Sequence, residues 1–287
     1  MYSNKLYTPL RYPGGKARFA PFIAKLMRSN DLNGGHYFEP YAGGAGVALE
    51  LLFDGIVNEV HINDADPAVY DFWKAATCHT EELIDRVATE PVDIEAWHKW
   101  RAVVNGQIAA SLPERGFATL FLNRTNRSGI LKGGVIGGKN QLGEYKLDAR
   151  FMRSQLCDRL RRIGQHADRI KVYGEDALAL LKRCKDFLPS QSLIYLDPPY
   201  YVKGQGLYRN FYNHEDHVAI AELVMKHTFP RNWMVSYDDV PAIRSMYHGS
   251  KVRGYGLRYT AQQRYEGSEV MFFSEGLRVP RSLKQAA

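Results

Sequence analysis

The chain has 287 residues, 45% hydrophobic and 24% charged, which suits a folded protein large enough for one α/β domain carrying a smaller insertion. Its formal charge of +7 permits a nucleic-acid partner without requiring one, because what matters is where the charge sits. Three cysteines without CxxC spacing (Cys78, Cys157, Cys184) argue against a disulfide framework or zinc ribbon and fit a reducing cytoplasm, and no signal-peptide or membrane-spanning pattern is present.

The first informative stretch is Arg11-Tyr12-Pro13-Gly14-Gly15-Lys16. It fails as a phosphate loop, since Leu10 stands where G-x-x-x-x-G-K-[ST] needs glycine and Ala17 where it needs Ser or Thr. Instead it offers an aromatic ring and an ammonium just before a helix, a place that could hold a carboxylate. Phe19, Phe22, Ile23, Leu26 and Met27 recur at helical spacing and predict that helix over 15–28. Residues 36–41 read as a strand, Ala42-Gly43-Gly44-Ala45-Gly46 as a tight turn, and 47–53 as a helix. Glycines after a strand let a ligand approach the backbone closely. The fingerprint G-x-G-x-x-G begins at Gly44 and Gly46 but meets Leu49, which disfavours a dinucleotide dehydrogenase. A second strand, 59–64, ends in Asp64. An acid there can accept both hydroxyls of a ribose, although it could equally cap the helix that Pro67 begins.

Strand–helix alternation lapses between about Trp73 and Gly164. Helical patterns occupy 80–89, 93–104 and 113–123, and a glycine-rich polar stretch over 128–143 reads as a flexible or hairpin-like loop. Arg124, Arg127, Lys132, Lys139, Lys146, Arg150 and Arg153 outweigh Glu144 and Asp148 in this region. Local positive charge among glycines and amides suits a loop that follows phosphates and probes a groove, though a solvated surface loop would read the same. Asn123, Arg124, Asn126 and Arg127 have the chemistry to read bases as well as phosphates. A second basic cluster, 159–162, could equally be one face of a helix.

Strands at 169–173, 192–197 and 233–237, with helices at 176–187 and 214–228, restore the alternation and imply a parallel sheet covered on both faces. Two strand-like runs, 251–259 and 268–274, predict an antiparallel edge hairpin. His214-Glu-Asp-His217 lacks metal-ligand spacing and reads as a solvated helix start. The sharpest signal is Leu193-Ile-Tyr-Leu-Asp-Pro-Pro-Tyr200, a short apolar strand stopped by two prolines. It presents a carboxylate, rigid carbonyls and an aromatic ring at the end of a sheet, where open α/β folds hold their ligands. That geometry suits a site gripping a planar base by its exocyclic amine.

Taken in order, Tyr12-Pro-Gly-Gly-Lys16, Phe38-Glu-Pro-Tyr-Ala-Gly-Gly-Ala-Gly46, Asn63-Asp64 and Asp197-Pro198-Pro199-Tyr200 resemble the Dam-type DNA adenine methyltransferases, over nearly the whole chain. Phe121-Leu-Asn-Arg124 is similar to the segment that opens the family's DNA-reading region. The resemblance implies a Rossmann-like class I methyltransferase sheet with an inserted, mostly helical target-recognition domain. Residues 1–74 and 165–287 would form the catalytic domain and 75–164 the insertion. It implies S-adenosyl-L-methionine as methyl donor and duplex DNA as acceptor, admits a cognate restriction endonuclease as partner, and requires no metal. Tyr12 and Lys16 would lie near the cofactor's methionine end, Glu39 and Gly43 around it, and Asp64 on its ribose. Glu175-Asp176 would contact its adenine, and Asp197 would stand where cofactor and target meet. Asn123, Arg124, Asn126, Arg127 and Lys139 would face DNA.

The implied chemistry has clear physical requirements. Adenine's amine is a poor nucleophile because its lone pair is delocalised into the ring. Hydrogen bonds to Asp197 and the Pro198 carbonyl would draw it towards tetrahedral geometry and stabilise the positive charge developing on nitrogen. The base must leave the helix, and Tyr200 would stack on it once flipped. The sequence departs from the family after Asn123-Arg124: the usual aromatic and Arg-Asn run towards Phe-Asn-Val-Pro is absent. Selection of the site GATC therefore does not carry over. The alternatives are methylation of cytosine's 4-amino group, where serine more often replaces Asp197, and a non-catalytic DNA-binding regulator on the same fold.

Overall fold

The computed structural model describes residues 5, 7–12, 14–202, 212–258 and 266–280, without the side chains of 255–258 and 266–268. Pro13, residue 259 of the run 251–259 and the loop expected to close the edge hairpin lie outside the described residues. Seven strands form one sheet: β1 (His36–Glu39), β2 (Glu59–Asn63), β3 (Ile170–Tyr173), β4 (Ser192–Leu196), β5 (Trp233–Asp238), β6 (Lys251–Arg258) and β7 (Glu266–Phe273). Their order is β3-β2-β1-β4-β5-β7-β6. The first five run parallel, and β7 lies antiparallel to both β5 and β6. The chain builds outward from β1 in one direction through β2 and β3, and from β4 in the other. The carboxyl ends of β1 and β4 thus flank a topological switch point, where a doubly wound sheet opens a crevice.

Every residue of β4 and of β5 is buried, as expected for strands covered on both faces. One covering layer contains α1 (Ala20–Ser29), α2 (Gly46–Phe53) and α3 (Pro67–Cys78), and the other α8 (Ala177–Lys182), α9 (His214–Val224) and α10 (Pro241–Met246). Helix α1 begins later than the sequence suggests, after a single 3₁₀ turn at Ala17–Phe19, with a proline in its first turn where an unpaired N–H would be anyway. Helix α8 is shorter than expected and ends in a separate 3₁₀ turn at Cys184–Asp186.

Between α3 and β3 stand α4 (Thr80–Thr89), α5 (Ile94–Val104), α6 (Leu112–Thr125) and α7 (Arg153–Gly164). Ser111 and Glu114 cap α6 reciprocally, satisfying two backbone donors that the helix itself cannot. Trp97, Trp100, Phe117 and Phe121 belong to the same apolar cluster as the α1–α3 layer, so the inserted helices share a core with the sheet. The basic 159–162 cluster is the outer part of α7, whose Leu156, Leu160 and Ile163 recur at i, i+4 and i+7 and are buried. The glycine-rich stretch is not a hairpin. It starts with a 3₁₀ turn at Arg127–Gly129, makes one isolated bridge between Asn126 and Val135, and continues through turns. Gln141 ties it together, donating to the Ile136 and Gly138 carbonyls (2.8 and 2.6 Å) and accepting from Leu147 N–H (2.9 Å).

Candidate active site

The crevice is a cavity of about 590 Å³ lined by Tyr12, Glu39, Gly43, Asp64, Asp176 and Asp197, among others. Residues from six separate segments thus meet at the carboxyl edge of the sheet. The turn after β1 positions the nearest backbone. Gly43 has φ +47°, and a Cβ there would come within 2.6 Å of the Tyr12 ring. Its carbonyl accepts from Trp73 Nε1 at 2.8 Å, anchoring the turn to α3. Ala45, although not glycine, also holds a left-handed φ of 45° at the cap of α2, a strain of about 1–2 kcal/mol.

Asp64 follows β2 and does not cap α3; Asp66 does, accepting from Ala68 N–H at 3.0 Å. The Asp64 carboxylate accepts instead from Gly43 N–H (3.0 Å, Oδ2) and Asp66 N–H (2.9 Å, Oδ1). One bond per oxygen leaves each with a further lone pair. Burial raises its pKa to about 6, opposed by those two N–H groups. Glu39, at the end of β1, is more deeply buried, and desolvation lifts its carboxyl to about 8 despite hydrogen bonds from the Tyr37 hydroxyl (3.0 Å) and Ala48 N–H.

Asp197 follows β4, where Pro198 and Pro199 prevent the strand continuing. Its Oδ1 accepts from Ser236 of β5, whose oxygen lies 2.9 Å from the Tyr195 hydroxyl. Ser236 has one proton and gives it to Asp197, so Tyr195 donates to Ser236. On the other oxygen, Lys16 Nζ lies 3.3 Å from Oδ2. Lys16 also donates to the Gly14 carbonyl (3.2 Å) and the Tyr200 hydroxyl (2.5 Å), and lies 3.7 Å from Glu269 of β7. Tyr200 in turn donates to Glu269 Oε1 at 2.5 Å. The ring is therefore held through its hydroxyl by one cation and one carboxylate. Pro198 is buried and Tyr200 half-buried. Beyond the tetrapeptide, Asp238 at the end of β5 accepts from Tyr201 and Val202 N–H (2.9 and 3.0 Å) and fixes the chain's exit.

Of the expected cofactor contacts, Tyr12, Lys16, Glu39, Gly43, Asp64 and Asp197 all line this one cavity. Asp176 joins them while also capping α8 through Ala179 N–H at 2.9 Å, whereas Glu175 is paired with Arg183 and is not among the lining residues. Tyr195, Ser236, Glu269 and Asp238 belong to no sequence motif; the only signal for two of them is that Ser236 is a polar residue inside the apolar run 233–237 and Asp238 directly follows it.

Three of the five residues expected to face DNA are corrected by the structure. Asn123 is buried, donating to the Arg11 and Gly129 carbonyls (2.8 and 2.9 Å) and accepting from Arg11 N–H (2.7 Å). Arg124 is buried against the Pro9 carbonyl, and desolvation lowers its pKa to about 9. Asn126 accepts from Trp97 Nε1 (2.7 Å) and donates to the Ile130 and Leu131 carbonyls (2.9 and 3.0 Å). These groups fasten the inserted helices to the N-terminal segment and the glycine-rich stretch. Only Arg127 and Lys139 of the five are exposed. The pair His214 and His217 also makes no shared site: His217 is buried with Nδ1 2.9 Å from the Tyr237 hydroxyl, while His214 Nδ1 meets the Tyr201 hydroxyl at 2.9 Å.

Five parallel strands extended by an antiparallel pair, with a cavity at the switch point ringed by acids and a glycine turn, define the class I methyltransferase fold. Within that class, residues 12–263 match the D12 class N6 adenine-specific DNA methyltransferases, and the chain belongs to this family. It is an adenine-specific DNA methyltransferase. A search of curated protein sequences gave no match. Among solved structures, a Pyrococcus horikoshii protein described as an RNA methyltransferase is 11% identical, with 95% of this chain and 89% of that one covered at a TM-score of 0.41. The rRNA methyltransferase AviRa of Streptomyces viridochromogenes is 14% identical, with 91% and 86% covered at 0.39. A Listeria monocytogenes protein described as a class I S-adenosylmethionine-dependent methyltransferase is 10% identical, with 99% and 67% covered at 0.41. No helix among the described residues is long and apolar enough to cross a membrane.

Proposed function

We propose that the protein methylates the 6-amino group of adenine at a specific site in duplex DNA, by direct in-line displacement on a flipped base, with S-adenosylmethionine as donor. The observation that carries this reading is that Asp197 lines the same cavity as Asp64 and the glycine turn, so a nucleoside-bearing donor and a base would meet there. The cavity of about 590 Å³ lies within the roughly 300–1,000 Å³ of small-molecule and cofactor sites. Its donor set also fits the cofactor. Asp64 keeps lone pairs for ribose hydroxyls, and the absent side chain at Gly43 lets the Tyr12 ring pack directly against the turn as part of the cavity wall.

Bound S-adenosylmethionine supplies an activated methyl group. The residues do the rest by position. Asp197, held by Ser236 and Lys16, accepts a hydrogen bond from one N–H of the amine, and the Pro198 carbonyl accepts one from the other, so both stabilise the positive charge that develops on nitrogen. Tyr200, fixed through its hydroxyl by Lys16 and Glu269, offers its ring face to the extruded adenine. Lys16 thus links the cofactor wall to the base wall, whatever else it holds. Residues 75–164 serve as the target-reading unit, with Arg127 and Lys139 among its exposed cations.

Modification-aware sequencing of DNA from cells expressing the chain tests this reading. It should report N6-methyladenine in one recurrent sequence context. Methylation without a preferred context would remove the site specificity, and none at all would remove the activity.

A further inference from the structure

At the opposite end of the strands from the cavity, three potential ligands converge. His36 opens β1 and pairs in register with Glu59, which opens β2; His61 lies two residues further along β2, hence on the same face. His61 Nε2 lies 3.0 Å from His36 Nδ1 and 3.0 Å from Glu59 Oε1, and the last two atoms are 3.5 Å apart. Among the described residues, this is the one group of three or more His, Cys, Asp or Glu side chains whose ligand atoms all lie within 4.8 Å. We propose that His36, Glu59 and His61 bind one zinc ion, which staples the starts of β1 and β2 together and takes no part in methyl transfer.

The geometry matches that ion. Ligand atoms held about 2.0–2.2 Å from a tetrahedral zinc lie roughly 3.3–3.5 Å from one another, close to the triangle observed. Two imidazoles and a carboxylate suit a borderline divalent cation better than calcium or magnesium, which prefer oxygen. The surroundings orient all three donors. The Tyr173 hydroxyl, 3.0 Å from His61 Nδ1, can accept its N–H and so present Nε2 as the lone pair. Lys171 Nζ engages Glu59 Oε2 at 3.3 Å, leaving Oε1 aimed at the imidazoles. The rings of His36 and His61 are stacked, with centroids 5.2 Å apart. The His36 and Glu59 side chains are 25% and 23% exposed, which leaves a path for the ion and a water as fourth ligand.

The test is a titration of tag-free, chelator-stripped protein with zinc, followed calorimetrically, and with cobalt(II), followed by its visible absorption. The wild type should bind one equivalent of zinc, melt at higher temperature with it, and give the intense cobalt bands of a tetrahedral site. His61 is buried, so His36→Gln and Glu59→Gln carry the comparison, and each should weaken binding by at least roughly 100-fold while leaving the metal-free fold intact. Less than one equivalent bound by the wild type, or unchanged affinity in His36→Gln, would overturn the proposal. So would binding abolished by thiol alkylation, which would place the ion at a cysteine. Because the readout is metal binding, the outcome is independent of whether DNA methylation is observed.

Discussion

The cavity edge of the sheet and the inserted helices treat the same kinds of side chain in opposite ways. At the cavity, Asp64 and Asp197 are each held by two internal partners but still face open space, so they retain capacity for a ligand. In the insertion, Asn123 and Asn126 spend both ends of their amides on backbone and indole groups, and burial removes them from any partner. A polar residue with suggestive chemistry is therefore a site only where the fold leaves its lone pairs or protons unspent. The opposite use is architectural: satisfied buried amides specify how the inserted helices seat on the sheet.

This contrast can be broken by substitution. The largest effect is expected from Asp197→Ala, which should lower the initial rate of methyl transfer to DNA by about 10³-fold with an unchanged circular dichroism spectrum. Asn126→Ala should do the reverse. Losing three buried hydrogen bonds should cost about 2–4 kcal/mol of stability in urea denaturation, while the remaining folded protein keeps its specific activity. If Asn126→Ala instead left stability untouched and abolished DNA binding, the structural assignment of that residue would fail.

A pH series sharpens the cavity side. The Asp64 carboxyl titrates near 6 because burial disfavours its charge, so it takes up a proton as pH falls through that value. Cofactor affinity should then weaken by up to about tenfold per pH unit below 6, and Asp64→Asn should bind weakly with no step there. The sign for folding is the opposite. A raised carboxyl pKa favours the native state fully below the unfolded value of 3.8, and that contribution is lost as pH rises through about 6. The smallest effects belong to the exposed insertion cations. Arg127→Ala and Lys139→Ala should each lower DNA affinity a few-fold and reduce the salt slope by about one, as read by fluorescence anisotropy at several salt concentrations.

The sheet was legible in the sequence because its strands are short apolar runs set between helical periods. Helix α7 was harder to see, since Arg153, Arg159, Arg161 and Arg162 crowd around an apolar stripe of only three buried residues. Helix α10 is six residues long, too brief for a period to register. The cavity residues could be found because each follows a strand or a turn, and parallel strands bring such ends together. Their supports could not. Ser236 and Glu269 reach Asp197 and Tyr200 through pairing of β5 with β4 and β7, and register of that kind depends on the assembled sheet. The Asn123-Arg124-Thr125-Asn126 stretch misled for a related reason. Its residue types suit DNA, but it ends a helix whose preceding residues, Phe117 to Leu122, are all buried, and the polar tail is buried with them. That apolar run was the available warning.

In the proposed function, the cavity brings a methyl donor to the amine of an adenine held at Asp197. Its most direct test is to incubate purified protein with S-adenosylmethionine carrying a labelled methyl group and unmodified duplex DNA, then digest the DNA and separate the nucleosides by mass. The label should appear in N6-methyladenine with the wild type and be essentially absent with Asp197→Ala. Label in N4-methylcytosine, or the same yield of N6-methyladenine from both proteins, would contradict the account.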